Sequence, residues 1–478
     1  MRVRINHSEF NCLGHIYLMD LLSLDKKLVK KYDLNGPRYT SYPTANMFTK
    51  DFGADELCAA ITTSNQFCLP KPLSLYVHLP FCNTVCFYCA CNKIITANKK
   101  HITPYLKDLY KEIIMKGKIF DKDRKVEQIH FGGGTPTYLN KEQLTQLMDV
   151  LNNNFNLLDD DSGDYSIEID PRKLKSETIT LLRNLGFNRV SIGVQDFNSK
   201  VQAAINRIQT YDETLSIINE ARKRNFKSVN IDLIYGLPKQ TIKSFTETIR
   251  KVININPDRI AIYNFAYLPN LFKTQRQIKK EDLPTSEIKL KMFNETIRLL
   301  TSAGYIYIGM DHFAKKNDAL TIAQDQGKLH RNFQGYSTNS DCDIIGFGIT
   351  GISKINNTYS QNLKSLEEYH AVISDKQTPV LHGYQLTFDD EIRGEVISQL
   401  MCHFKIEFDD IEYIYEINFN NYFSNELNIL TSYENDRLLT INYNSIKISP
   451  KGRLLIRNIC TVFDAYFGKN IISYSKMI

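Results

Sequence analysis

Residues 82–91 read Cys-Asn-Thr-Val-Cys-Phe-Tyr-Cys-Ala-Cys, and they follow the apolar run 73–79, Leu-Ser-Leu-Tyr-Val-His-Leu, and the dipeptide Pro80-Phe81. The run has the length and composition of a buried strand. Four of the chain's ten cysteines fall within these ten residues, whereas free cysteines in protein cores usually occur one at a time. The pattern predicts a strand that carries a group of thiols in the loop at its carboxyl end.

The first three thiols, Cys82, Cys86 and Cys89, have C-x3-C-x2-C spacing, so one loop can direct all three at one centre. Iron–sulfur clusters normally take four cysteines, and three therefore favour a 4Fe-4S cluster with one open iron. Structural zinc needs four ligands, usually in two separated pairs. The sequence has no second C-x2-C pair and no H-x3-5-H, so a zinc-stapled structural domain is a remote alternative.

Cys91 is a fourth thiol whose role the spacing leaves open. It could be a fourth ligand or a redox thiol beside the cluster. Only one residue separates it from Cys89, which would strain simultaneous ligation of one centre. We therefore interpret Cys91 as a non-ligand close to the cluster.

Composition limits the classes of function. The chain has 478 residues, 42% hydrophobic and 23% charged, and a net charge of +6. This length exceeds one ordinary domain. The weak, dispersed positive charge does not indicate nucleic-acid binding, but it is compatible with a small anionic substrate. The sequence has no apolar run long enough to span a membrane and no signal-peptide pattern. A cytoplasmic protein with reduced thiols is therefore expected.

Strand-like and helix-like stretches alternate from residue 73 onward. Helices are predicted between the strands, for example after Asn140, an N-cap candidate with Gln143 three residues on. A second predicted helix is stopped by Gly186. Six successive βα units imply a parallel sheet, in either an open doubly wound fold or a partial barrel. Both folds collect functional loops at the carboxyl ends of their strands. The predicted strands are 73–79, 126–131, 165–169, 189–194, 228–234 and 259–266.

The regions outside these units divide the chain into three predicted parts. Residues 1–72 form an N-terminal tail and arm, in which 1–18 are either a disordered tail or an upstream mis-start. The proline-containing stretch 36–44 is an extended arm. Residues 73–363 form the catalytic part, and 364–478 form a smaller, mostly helical domain with strand-like residues at 439–448.

Five strings resemble one family. They are the arm GPRYTSYPT (36–44), the cysteine motif with its flanks (76–93), GGGTPTYL (132–139), GVQDFN (193–198) and HRNFQGY (330–336). Together they resemble the oxygen-independent coproporphyrinogen III oxidases, also called coproporphyrinogen dehydrogenases, of the radical S-adenosylmethionine (SAM) superfamily. The resemblance implies a partial (β/α)6 barrel of the TIM type, which decides between the two folds left open above. Members commonly have phenylalanine where Tyr88 stands.

The resemblance also implies the cofactors and their contacts. The cofactors are a 4Fe-4S cluster on Cys82, Cys86 and Cys89 and two SAM molecules. Phe333 and Gln334 match positions linked to activity, and Glu168 is both a SAM ligand and a catalytic candidate. The expected contacts of the first SAM are Tyr76, Gly133, Glu168 and Ile352, and those of the second are Tyr88, Gly134, Thr135, Gln195, Arg207, Asp232 and Ala266.

The implied reaction converts two propionates of coproporphyrinogen III to vinyl groups through a 5′-deoxyadenosyl radical and gives protoporphyrinogen IX for haem biosynthesis. The expected partners are this substrate and an unidentified electron donor and acceptor, without nucleic acid or membrane, and the expected oligomeric state is a monomer. The alternatives are a haem chaperone and another radical SAM enzyme acting on tetrapyrroles. Such chaperones typically lack the arm and a cysteine where Cys91 stands. The substrate's carboxylates need cationic partners. Arg38 and Arg331 are our candidates, with a purely structural hydrogen bond as the alternative for each.

Overall fold

The computed structural model describes residues 26–338 and 342–469. The prediction for residues 1–18 lies outside these ranges. In the described part, seven consecutive strands of the main sheet run parallel, and six helices lie between the first six of these strands in sequence. The parallel strands are β1 (Leu73–Leu79), β4 (Lys125–Gly133), β6 (Asp164–Ile169), β7 (Arg189–Gln195), β8 (Ser228–Tyr235), β9 (Arg259–Asn264) and β14 (Asp343–Phe347).

The parallel strands follow the order β9-β8-β7-β6-β4-β1-β14, which is the chain order expected of successive βα units, and β14 closes the run beside β1. Their carboxyl ends therefore lie at one mouth of the partial barrel. The helices between them are α3 (Ile102–Gly117), α4 (Lys141–Asn154), α5 (Ser176–Asn184), α6 (Ser199–Ala204), α7 (Tyr211–Lys223) and α8 (Ile242–Ile255).

Antiparallel strands extend the sheet at both ends. β10 and β11 continue it beyond β9, and three strands continue it beyond β14 as far as Gln385. The short strand β5 differs from these, because it pairs in parallel with β4. These strands are β5 (Asn156–Leu157), β10 (Tyr305–Gly309), β11 (His312–Lys315), β15 (Ile352–Ile355), β16 (Thr358–Asn362) and β17 (Val380–Gln385).

Smaller sheets lie outside the barrel. One pairs β2 (Phe81–Cys82) with β3 (Ile94–Ile95), a second is the hairpin β12 (His330–Asn332) and β13 (Gly335–Ser337), and a third joins β18 (Lys405–Glu407), β19 (Leu439–Asn442) and β20 (Ser445–Ile448). The remaining helices are α1 (Lys26–Tyr32), α2 (Ala54–Asn65), α9 (Ser286–Ser302), α10 (Ala319–Asp325), α11 (Leu366–Ser374), α12 (Phe388–His403), α13 (Phe408–Tyr415), α14 (Phe419–Tyr422), α15 (Ser424–Asn435), α16 (Pro450–Leu454) and α17 (Ile456–Phe463).

Local sequence signals explain several boundaries. The predicted cap of α4 is present, because the Asn140 side chain accepts from the Gln143 N–H while the Gln143 side chain accepts from the Asn140 N–H. Gly186, predicted to stop α5, follows that helix with a φ of +92°. The predicted strand 259–266 was two residues too long. β9 ends at Asn264, and Phe265 and Ala266 begin the following loop.

Two main cores hold the fold. The first fills the barrel and its helices, and the second joins the C-terminal helices to the N-terminal arm. The arm is fixed by Arg457, which donates from Nε to the Pro37 carbonyl, 2.9 Å away, and by Arg38, whose Nη1 lies 2.6 Å from Oδ2 of Asp311. The arm therefore bridges the barrel and the C-terminal helices.

Candidate active site

The cysteine loop leaves the carboxyl end of β1 and is held by neighbours from two later loops. The Phe87 N–H donates to the Ile205 carbonyl, and the Gln275 side chain donates to the Tyr88 carbonyl. Phe87 and Tyr88 pack against a small core that includes Ile205 and Phe265. The apolar residues inside the motif therefore anchor the loop, so that the thiols between them occupy defined positions.

Cationic groups surround the central thiol. Cys86 is buried, and its Sγ lies 3.7 Å from Nη1 of Arg207 and 3.8 Å from Nη2 of Arg172. Both guanidinium groups also contact Asp170. These two cations would balance the negative charge of a metal-bound sulfur at this position.

The other thiols have different surroundings. Burial raises the pKa of Cys82 to about 11, although Thr135 Oγ1 lies 3.5 Å from its sulfur. A hydrogen bond from Cys91, with Lys93 nearby, lowers the pKa of Cys89 to about 6. Lys93 also donates from Nζ to the Cys89 carbonyl, 2.9 Å away.

The glycine loop after β4 packs directly on the start of the cysteine loop. The Gly134 N–H donates to the Leu79 carbonyl, and the Thr135 N–H donates to the Phe81 carbonyl, both over 2.9 Å. A Cβ at Gly134 would lie 2.6 Å from the carbonyl of Pro80. Gly133 has a φ of +114°, which favours glycine. Glycine is therefore required for the two loops to meet.

Glu168 near the end of β6 faces the glycine loop. Its Oε2 accepts from the Gly133 N–H over 3.2 Å, and its Oε1 lies 3.4 Å from Nε2 of His130. Burial would raise the pKa of Glu168, but these contacts outweigh it and hold the pKa below its usual value. The carboxylate is therefore ionised at neutral pH.

One cavity of 620 Å³ at the mouth of the barrel brings together six predicted residues and Cys91. The four predicted contacts of the first SAM and the two positions linked to activity all line it. These six are Tyr76, Gly133, Glu168, Phe333, Gln334 and Ile352. They come from five separate regions of the sequence and meet because β1, β4, β6, the β12–β13 hairpin and β15 are neighbours in space.

The residues predicted for the second SAM are not collected in that cavity. Arg207, Gly134 and Thr135 lie at the cysteine loop, and Tyr88 is tied through Gln275 to the Ala266 carbonyl. Asp232 lines a separate, smaller cavity of 180 Å³ inside the barrel, which shares Glu168, His130 and Gln334 with the first. Gln195, at the end of β7, has a φ of +68°. Burial raises the pKa of Asp232 to about 6.

Two histidines are additional site residues that the sequence analysis missed. The His130 ring stacks on Tyr76, with 5.9 Å between centroids, and lines both cavities. His78 donates from Nε2 to the Asn92 carbonyl beyond the cysteines and accepts from the Tyr76 hydroxyl. The sequence did contain a signal that could have identified them, because each histidine is a polar residue within a predicted apolar strand.

Whether a cluster fits depends on how the thiols of the cysteine loop are spaced. Among the described residues, no three His, Cys, Asp or Glu side chains converge as ligands of a single metal ion would. Besides burial, the neighbouring thiols of Cys89 and Cys86 help to raise the pKa of Cys82, so the three sulfurs lie close together in one loop. A cluster offers each thiolate its own iron, so it needs wider spacing than one ion does. Three neighbouring thiols with cations at the central one fit such a group.

A barrel of parallel strands with C-x3-C-x2-C after its first strand and a glycine loop after its second defines a radical SAM protein. Residues 76–252 match the model of the radical SAM superfamily. Membership implies a 4Fe-4S cluster and SAM as cofactors.

Relatives along nearly the whole chain narrow the class. The chain is 47% identical over 462 residues to the oxygen-independent coproporphyrinogen III oxidase of Pseudomonas aeruginosa, covering 96% of this chain and 100% of that one. It is 46% identical over 442 residues to the Escherichia coli enzyme of the same name, covering 92% and 95%. The solved structure of coproporphyrinogen III oxidase from Escherichia coli superposes with a TM-score of 0.89 at 44% identity, covering 94% and 100%. The chain belongs to the family of oxygen-independent coproporphyrinogen III oxidases.

Within residues 26–338 and 342–469, every helix is too short or too polar to cross a bilayer.

Proposed function

We propose that this chain catalyses the oxygen-independent oxidative decarboxylation of coproporphyrinogen III to protoporphyrinogen IX in haem biosynthesis. The observation that carries the proposal is the 620 Å³ cavity, in which Cys91 of the cysteine loop meets Glu168, Phe333 and Gln334. Relatives of this name at 46–47% identity over more than nine-tenths of the chain support it. The haem-chaperone alternative is not favoured by any of these relatives.

Cys82, Cys86 and Cys89 would hold the cluster, and Tyr76, Gly133, Glu168 and Ile352 would surround the first SAM. When bound, these cofactors supply the removal of a hydrogen atom from the β-carbon of a propionate. Each propionate thereby loses one hydrogen atom, one electron and carbon dioxide, and a vinyl group remains. Two propionates react in turn.

The chain's own contribution is orientation. The ionised Glu168 accepts hydrogen bonds from SAM, and its contacts to Gly133 and His130 fix its position. The Tyr76 ring is fixed by its stack on His130. Phe333 and Gln334 form the tip of the β12–β13 hairpin and line the same cavity, so they are placed to contact both cofactor and substrate. Positioned groups of this kind remove the entropic cost of bringing the reactants together.

A second SAM is also part of the proposal. Its contacts would be Tyr88, Gly134, Thr135, Gln195, Arg207, Asp232 and Ala266. The links from Tyr88 through Gln275 to Ala266 support a common site, because one side chain joins both backbones.

The remaining expectations also stand as proposals. They are the division into residues 1–72, 73–363 and 364–478, a cytoplasmic monomer, and an electron donor and acceptor that are separate molecules. Most members of the second hydrophobic core lie between residues 392 and 463, which supports a C-terminal unit. That core also includes arm residues such as Tyr32 and residues between 290 and 329, and β17 adds residues beyond 363 to the main sheet.

The test is anaerobic turnover of reconstituted protein with reductant, SAM, coproporphyrinogen III and an electron acceptor. We expect protoporphyrinogen IX together with 5′-deoxyadenosine, and neither product from Cys86→Ser. Cys58→Ser is the matched control, since Cys58 is an exposed thiol outside the motif, and it should retain both products. Deoxyadenosine without porphyrin product would indicate a radical SAM enzyme that acts on a different substrate. Stoichiometric haem binding without any turnover would indicate a chaperone.

A further inference from the structure

Among the described residues, Arg331 has more buried guanidinium nitrogens without a partner than any other arginine, since Arg259 and Arg453 have one each. The Nε and Nη1 atoms of Arg331 are buried and have no hydrogen-bond partner there. Other arginines of the barrel and its borders have a carboxylate partner, namely Arg38 with Asp311, Arg124 with Asp343, Arg189 with Asp164 and Arg259 with Asp318. Arg331 as a whole is partly buried, and cationic donors held inside a protein without an acceptor are costly, so this position favours an anion.

The guanidinium of Arg331 is held in place without an acceptor. Arg331 lies opposite Tyr336 in the β12–β13 hairpin, and its guanidinium carbon is 4.8 Å from the centroid of that ring. The Tyr336 hydroxyl donates to the Met401 carbonyl over 3.0 Å and so anchors the ring to α12. The donors of Arg331 are therefore fixed before any ligand arrives, which lowers the entropic cost of binding.

Arg331 lines a cavity of 520 Å³ between the N-terminal arm, the β12–β13 hairpin and α12, which we call the arm cavity. This volume is in the range of sites that enclose whole organic ligands. Thr40 and Ser41 of the arm line it, and Phe333 is shared with the 620 Å³ cavity. A ligand in the arm cavity is thus separated from the proposed SAM site by the hairpin tip.

The cationic and the acidic residues that line the arm cavity come from different structural elements. Its cations are Arg331, Lys71 before β1 and Lys354 of β15, whereas its acids, Asp390, Glu391 and Glu395, all belong to α12. Asp390 is already occupied by hydrogen bonds from Thr387, Tyr384 and Tyr466. None of the three acids forms an ion pair with Arg331 within the described residues. The acids that line the arm cavity therefore do not pair with this arginine.

We propose that Arg331 binds a propionate carboxylate of the substrate and that the arm cavity receives the part of the macrocycle carrying it. This inference rests on the proposed function, which supplies a substrate with four carboxylates. Guanidinium groups match carboxylates in geometry and charge. Two residues of extended chain span about 7 Å, so a carboxylate at Arg331 lies close enough to Phe333 for a neighbouring propionate to enter the 620 Å³ cavity. Arg38, already paired with Asp311, is a fixing residue of the arm instead.

The test measures binding of coproporphyrin III, the stable oxidised form, to the reconstituted protein by fluorescence titration. We expect Arg331→Gln to weaken binding about 10- to 100-fold, as for loss of a charged hydrogen bond, and to leave SAM binding unchanged. Arg331→Lys keeps the charge without the planar donors and should be intermediate. The tetramethyl ester of coproporphyrin III should bind the wild type and Arg331→Gln equally.

Arg453→Gln is the matched control. Arg453 also lies on an aromatic ring, that of Phe404 at 4.7 Å, and its Nε is also buried without a partner. It lines a cavity of only 40 Å³, too small for a macrocycle, and should not change coproporphyrin binding. Equal affinity of the wild type and Arg331→Gln for the free acid would overturn this inference but leave the proposed function intact. A wild-type protein that neither binds coproporphyrin III nor turns over coproporphyrinogen III would overturn the proposed function, and the inference with it.

Discussion

The ammonium group of Lys116 lies 2.7 Å from a carboxylate oxygen of Glu112, and neither side chain is exposed. Lys116 also donates to the Gly346 carbonyl, and Glu112 accepts from the Gly348 N–H. The ion pair on α3 therefore fixes the backbone that leaves β14 and leads to Ile352, a wall of the 620 Å³ cavity.

We expect Lys116→Met to lower the free energy of unfolding by about 3–5 kcal/mol, because it leaves the Glu112 carboxylate buried without its counter-charge. The double variant Glu112→Gln with Lys116→Met should recover part of this loss. Denaturant unfolding of the apoprotein measures both. Equal stability of the single and double variants would contradict the expectation.

Replacing Glu168 tests the proposed SAM ligand. Glu168→Gln keeps an acceptor for the Gly133 N–H but removes the charge that is proposed to hold SAM. We expect SAM to bind about 10- to 100-fold more weakly, with an unchanged absorption spectrum of the cluster. Equilibrium dialysis with labelled SAM measures the affinity. Glu247→Gln, on the exposed face of α8, is the control and should bind SAM normally.

Gly134→Ala tests the close approach of the two loops. The added Cβ would lie 2.6 Å from the Pro80 carbonyl and 2.8 Å from the Phe81 carbonyl oxygen, and both are backbone atoms. Overpacking of this kind costs about 1–3 kcal/mol, so SAM should bind about tenfold more weakly. Gly394→Ala, inside α12 with its nearest atom at 3.6 Å, should leave binding unchanged. Normal SAM affinity of Gly134→Ala would show that the loops separate without consequence.

The raised pKa of Asp232 predicts that the stability of the folded protein depends on pH. Burial raises its pKa to about 6 in the folded state, whereas the unfolded value is about 3.9. Between these values the folded state holds the proton and the unfolded state does not, so rising pH destabilises the fold through this window. Above about pH 6 the full penalty is present. It reaches at most about 3 kcal/mol, at about 1.4 kcal/mol per pKa unit.

Asp232→Asn removes this penalty. The stability of the variant minus that of the wild type should therefore be larger at pH 8 than at pH 4. Unfolding midpoints of the apoproteins in urea at the two pH values measure the difference. Asp149→Asn, on the exposed side of α4, should show no such change between pH values. A constant difference for Asp232→Asn would mean that Asp232 titrates normally.

Much of the fold was predictable from local pattern. The six strands, the capped start of α4 and the end of α5 near Gly186 all follow from signals within a few residues, and the structure confirms them. The predicted end of β9 was two residues too late, because the apolar residues Phe265 and Ala266 belong to the following loop and not to the strand. Phe265 packs in the small core under the cysteine loop.

The sequence by itself determined the class of this protein. Cys82, Cys86 and Cys89 lie within eight residues, and the βα alternation places their loop at the mouth of a parallel sheet. Only the tertiary structure decided that His130 supports both Tyr76 and Glu168, that Arg38 is paired with Asp311, and that Arg331 has no acceptor. Such contacts join residues far apart in the chain. They depend on strand register and on the packing of the arm against α12 and α17, which no local pattern encodes.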